Sequence, residues 1–246
     1  MYFRILADSG DDRLAYLLAD LEEQEAVVVD PWPTQTGVIA AMLDERELRL
    51  RFVLRTHVHA GDEAACDALC RHTGATLVTG THARAQDGGR RVAHGEHLVF
   101  GNELLRALDT PGHTPGCVSY LWRDRLFCGD ALDVPACIDG DGECDPGRLF
   151  DTLTRRLFIL PAETLVFPAH ALHGRGVTTI AEERRRHARL SAISREAFVT
   201  ELSLNGELVR ATGGGSSRGD REHAQGTVAV VTAQARGEND GPRRIW

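Results

Sequence analysis

The chain has 246 residues, with 36 acidic side chains against 28 basic ones, and every basic one is an arginine. The missing lysine removes phosphate-loop and Schiff-base chemistry, both of which need its amine. A formal net charge of −8 argues against a general nucleic-acid binder, which would carry a basic field.

The first 30 residues read as strands: Met1 to Asp8, then the short apolar runs Leu14–Leu18 and Ala26–Val29, with Asp30-Pro31 as a stop. Val38, Ile39, Met42 and Leu43 recur at helical spacing, Arg51–Leu54 reads as a buried strand, Asp62–His72 as a helix and Ala75–Val78 as a strand. That alternation predicts an α/β domain. Strands and tight turns follow at Leu98–Phe100, Leu104–Leu108, Cys117–Leu121 and Arg125–Cys128. A helix is expected over 149–160, a strand over 164–167, a polar helix over 179–190 and a short one over 193–202. The body is expected to end near residue 210. Residues 211–246 form a Gly/Ser-rich polar tail, in which Val228–Val231 can add one strand. No apolar run approaches the ~20 residues that span a bilayer. The N-terminus reads as a strand rather than a signal peptide. Six cysteines in a chain of this length do not suggest a disulfide scaffold, so a reduced, cytoplasmic protein is expected.

Four sites stand out, each directly after a predicted strand: Thr56-His57-Val58-His59, Thr110-Pro111-Gly112-His113, Gly129-Asp130 and Pro168-Ala169-His170. Rigid strands aim the residues at their ends into one crevice. Imidazoles with a carboxylate are a common ligand set for zinc or non-haem iron. A lone histidine is more often a hydrogen-bonded core residue or a solvent-exposed one than a ligand, and His72, His82, His94, His97, His187 and His223 are read that way. Four strand-end sites framed by Gly and Pro are not.

These segments, with TPGHTPGCVSY (110–120), LFCGDAL (126–132) and LPAETLVFPAHALHG (160–174), resemble the metallo-β-lactamase superfamily in its glyoxalase II and persulfide dioxygenase branch. The resemblance covers about four-fifths of the chain and implies a four-layer αββα sandwich with a metal at one edge between two sheets. It also implies a homodimer. The superfamily signature T-H-x-H-x-D-H reads here Thr56-His57-Val58-His59-Ala60-Gly61-Asp62, so Gly61 and Asp62 replace two ligands of a second metal. The positions that match a mononuclear iron site, His57, His113 and Asp130, are present, and two histidines with one carboxylate form the facial triad of iron(II) oxygenases. His59, Asp62 and His170 are candidates for further ligands or for residues that orient them, and His173 for a substrate contact. The arginine-containing loop of the relatives is absent: residues 130–145 hold six carboxylates and no basic side chain.

The reading this supports is one Fe(II) per chain, with dioxygen and a low-molecular-weight thiol persulfide of the glutathione type as substrates, sulfite as product, and no nucleic-acid or membrane partner. Two alternatives stay open. One is a Zn(II)-dependent thioesterase of the hydroxyacylglutathione hydrolase kind. The other is a catalytically degraded member of the fold.

Overall fold

The computed structural model describes residues 1–8, 12–58, 64–83, 89–134, 143–172, 174–211 and 228–231. Strands β1 (Tyr2–Asp8), β2 (Leu14–Asp20) and β3 (Glu25–Val29) form a meander. Helix α1 (Thr36–Glu45), β4 (Arg49–Leu54), α2 (Ala64–Thr73), β5 (Thr76–Gly80) and β6 (Arg90–Val92) continue it, with β3 to β6 running parallel. Val228–Val231, labelled β13, pairs antiparallel with β1. The first sheet therefore has the order β13-β1-β2-β3-β4-β5-β6.

The second sheet is built from β7 (His97–Phe100), β8 (Glu103–Asp109), β9 (Val118–Trp122), β10 (Arg125–Gly129), β11 (Leu165–Pro168) and β12 (Thr178–Thr179), in the order β12-β11-β10-β9-β8-β7. Helices α3 (Pro146–Thr152), α4 (Ile180–Arg186) and α5 (Arg195–Ala211) accompany it. A π-helical stretch, Leu153–Leu157, extends α3.

The period-2 alternation of each strand explains the layering. Along β2, Leu14, Tyr16 and Leu18 enter the core between the sheets, with Phe3, Phe52, Trp122, Phe127 and Phe167. Ala15, Leu17 and Ala19 face the other way, into a core shared with Ile39, Met42 and Leu43 of α1 and Leu69 of α2. A third cluster packs Leu126, Cys128 and Val166 of the second sheet under Leu149, Leu153, Ile180, Phe198 and Leu202. Both faces of β2 are covered, which is why all seven of its residues are buried and its sequence from Leu14 to Ala19 is an unbroken apolar run. The result is the expected αββα sandwich.

Two edge strands escape sequence reading, β6 and β12, because Arg90-Arg91-Val92 and Thr178-Thr179 carry no apolar pattern. Helix α5 runs 17 residues, well past the expected end near 202. Its second half continues as helix through Asn205 and Gly206 and stops before the Gly run that begins at Gly213. Among the described residues no helix is long and apolar enough to cross a membrane.

Tyr16 links the two sheets. Its hydroxyl, fully buried, donates to the Pro168 carbonyl at 2.5 Å. Tyr16→Phe leaves that carbonyl without its donor at a cost of about 1–3 kcal/mol. Thermal unfolding is expected to start from a midpoint several degrees lower; an unchanged midpoint would show that the bond adds nothing.

Candidate metal centre

His57, His113 and Asp130 converge. All three are buried, and one ligand atom from each lies within 4.8 Å of the others. Asp130 Oδ2 is 3.4 Å from His57 Nε2 and 3.8 Å from His113 Nε2, and the two imidazoles stand edge-on at a centroid distance of 5.3 Å. Ligands about 2.1 Å from one ion in tetrahedral or octahedral geometry lie roughly 3–3.5 Å apart, so this donor set fits a single divalent metal after a small contraction. Burial alone would raise the Asp130 carboxyl. His57, His170 and His113 around it more than reverse that and hold it well below the usual carboxylate range.

Each ligand is delivered by a strand end. His57 follows β4, and its Nδ1 lies 2.9 Å from Thr56 Oγ1. The Thr56 hydroxyl donates to Asp30 Oδ2 at 2.7 Å, and the Thr56 amide donates to Asp30 Oδ1 at 2.8 Å. With its proton committed to Asp30, the Thr56 oxygen accepts from His57 Nδ1–H, which leaves the Nε2 lone pair for a metal. Asp30 sits at the end of β3, beside β4, with φ of 47°. Its burial raises the carboxyl to about 6 despite the two Thr56 bonds. The sequence marks Asp30 only as a strand stop. The missed signal is an Asp at the end of one buried strand and a Thr-His at the end of its parallel neighbour.

His113 rides a turn closed around a thiol: the Thr114 amide donates to Cys117 Sγ at 3.2 Å, and Thr110 N–H donates to the Cys117 carbonyl at 2.9 Å. Burial pushes the Cys117 thiol up to about 12, so it stays protonated. Gly112 has φ of 143°, and a Cβ there would strike the backbone of Leu149 on α3. Asp130 follows Gly129, whose φ is 56° and whose Cβ would strike Thr56 Oγ1 and approach His57 Nδ1. Only glycine lets the Asp130 strand end close on the His57 strand end.

His170 takes a different place from the three. Its Nδ1 lies 2.9 Å from both Asp130 oxygens, so the imidazole donates to the carboxylate and holds its orientation. His59, Asp62, Gly61 and His173 lie outside the described residues, as do Cys137 and the acidic stretch 135–142. Cys66, Cys70, Cys117 and Cys128 are free thiols.

The strand-end cluster and the two-sheet sandwich recur in known proteins. A crystal structure of ETHE1 from Myxococcus xanthus superposes with a TM-score of 0.73 at 39% identity, covering 82% of this chain and 90% of that one. The human mitochondrial persulfide dioxygenase ETHE1 is 35% identical over 189 residues, 75% of this chain and 73% of that protein. A hydroxyacylglutathione hydrolase from Methylococcus capsulatus is 35% identical over 215 residues, 80% of each. No protein-family model matches the chain. The architecture is the metallo-β-lactamase fold. The chain belongs to the persulfide dioxygenase and hydroxyacylglutathione hydrolase family of that superfamily, and it is a metal-dependent enzyme.

Thr56→Val keeps the shape of the side chain and removes the oxygen that orients His57. Metal affinity, read by chelator competition, is expected to fall about 10–100-fold, the usual effect of losing a ligand's hydrogen-bond partner. An unchanged affinity would show that His57 is oriented by packing alone.

Proposed function

We propose that the protein is a mononuclear iron(II) persulfide dioxygenase that converts a low-molecular-weight thiol persulfide, dioxygen and water to the thiol and sulfite. The observation that carries this reading is the buried grouping of two imidazoles and one carboxylate at His57, His113 and Asp130. This donor set leaves coordination positions open for two further ligands. Four electrons leave the sulfurs and reduce dioxygen, the S–S bond breaks, and the inner sulfur departs as the thiol. When bound, iron supplies the redox chemistry that lets dioxygen react with sulfur.

The chain's own residues do the rest. His57 and His113 offer neutral nitrogens, and Asp130 offers one negative charge, so a divalent ion there keeps a net positive charge that favours a thiolate sulfur over a thiol. Thr56 and Asp30 hold the His57 tautomer. His170 holds Asp130.

The replacement of signature ligands by Gly61 and Asp62 weakens a second metal position, which supports one metal rather than two. The hydroxyacylglutathione hydrolase relative supports a second reading, a Zn(II) thioesterase using metal-activated water. The same proposal places the enzyme in the cytoplasm as a homodimer, with residues 1–210 as the catalytic body and 211–246 as a tail from which Val228–Val231 joins the first sheet.

Oxygen-electrode assays decide between the readings. Protein loaded with iron(II) is expected to consume dioxygen with glutathione persulfide and release sulfite, and His113→Ala is expected to fall to background. Thioester hydrolysis by zinc-loaded protein, with no oxygen uptake by the iron form, would replace this reading with the hydrolase.

A further inference from the structure

On the side of β4 that faces away from the core between the sheets, the chain buries a cation that has no counter-charge in contact among the described residues. The parallel strands β3, β4 and β5 end together: Val29 pairs with Leu54, and Leu54 with Val78. The ladder runs one step further, with Asp30 N–H donating to the Leu54 carbonyl at 2.9 Å and Arg55 N–H to the Val78 carbonyl at 3.0 Å. Asp30, Arg55 and Thr79 therefore stand in a row at three adjacent strand ends. Val53 and Leu77, two residues earlier, belong to the core under α1 and α2. Strand alternation sends Arg55 and Thr79 to that same side. Arg55 is 7% exposed and Thr79 1%. Among the described residues the Arg55 guanidinium has no hydrogen bond or ion pair, and Thr79 Oγ1 has no hydrogen-bond partner. Asp30 does not pair with Arg55, and its two oxygens accept from the amide and hydroxyl of Thr56. Cys66, in the first turn of α2, supplies no charge either. Burial raises its thiol to about 12, against the pull of the Arg55 charge, so it stays protonated.

We propose that Arg55, Thr79 and the N-terminus of α2 form a binding site for a small inorganic oxyanion of the sulfite or phosphate kind, separate from the metal centre. A buried charge without a partner is strongly unfavourable, and a buried hydroxyl without one is unfavourable too. One oxyanion answers both, because it accepts from the guanidinium and from the hydroxyl. The first N–H groups of a helix have no partner within it and carry the positive end of its dipole. Helix α2 begins at Ala64, and the Arg55 charge reaches Cys66 in its first turn. Asp67, the acidic residue of that turn, is exposed. The carboxyl ends of parallel strands, beside a helix N-terminus, are where α/β folds bind anions. Arg55 lies two residues before His57, so the oxyanion sits behind the strand end that delivers a metal ligand.

Equilibrium dialysis of the metal-loaded full chain against radiolabelled inorganic phosphate tests the site, with thermal unfolding followed in the same buffer with and without phosphate. Wild type is expected to bind one phosphate per chain saturably, with a midpoint that rises with occupancy. His113→Ala is expected to bind phosphate as wild type does, which places the anion away from the metal centre. Arg55→Met is expected to weaken binding about tenfold or more, and Thr79→Val severalfold. Without phosphate, both variants are expected to unfold at or above the wild-type midpoint, because each removes a buried polar group that has no partner. Competition separates the two sources of the anion. Sulfite that displaces the label at a lower concentration than unlabelled phosphate makes the site one for the product of the proposed reaction. The reverse order makes it one for phosphate, and either result upholds the oxyanion site. No saturable binding by wild type, wild-type binding in Arg55→Met, or binding lost in His113→Ala overturns it. So does an Arg55→Met midpoint well below wild type in phosphate-free buffer, which makes Arg55 a brace of the fold.

Discussion

A carboxylate surrounded by three imidazoles governs this structure. Asp130 is buried, and an isolated carboxylate there would cost several kcal/mol. His57 and His113 face it with ring nitrogens, and His170 donates to both its oxygens. Those partners come from three strand ends in two different sheets, so the charge can be balanced only when the sandwich has closed. The site and the fold therefore constrain each other. Gly129 bends the chain so that Asp130 reaches His57, and Tyr16 of the first sheet donates to Pro168, two residues before His170. Thr56 and Asp30 add a second line of support from the parallel strands β3 and β4. A divalent cation completes the arrangement electrostatically, which is the physical reason the family's metal dependence fits this chain.

Most of this was legible in the sequence, because the ligands lie in local motifs. Histidine after an apolar strand, TPGH in a turn that only glycine permits, and Gly-Asp at a strand end each carry their meaning within a few residues. The central strands were legible for the same reason, as apolar runs such as Leu14–Leu18. Features that depend on non-local pairing were not. Asp30 reads as a stop until β3 and β4 are seen side by side. Arg13 reads as one arginine among many until its bridge to His170 places it at the site. The edge strands β6 and β12 take their structure from the neighbour they pair with rather than from any pattern of their own.

The chain brings His57, His113 and Asp130 together as a candidate metal-ligand set. Arginine is its only basic residue, and none occurs from 130 to 145. Arg13, just before β2, stacks on Trp32 and is bridged to His170.

The central claim is a single metal held by His57, His113 and Asp130. Elemental analysis of the full chain, purified without chelators and loaded anaerobically with iron(II), tests it directly. One metal per chain, lost in both His113→Ala and Asp130→Asn while the variants stay folded, is the predicted result. Two metals per chain, or full occupancy that survives either substitution, would contradict it.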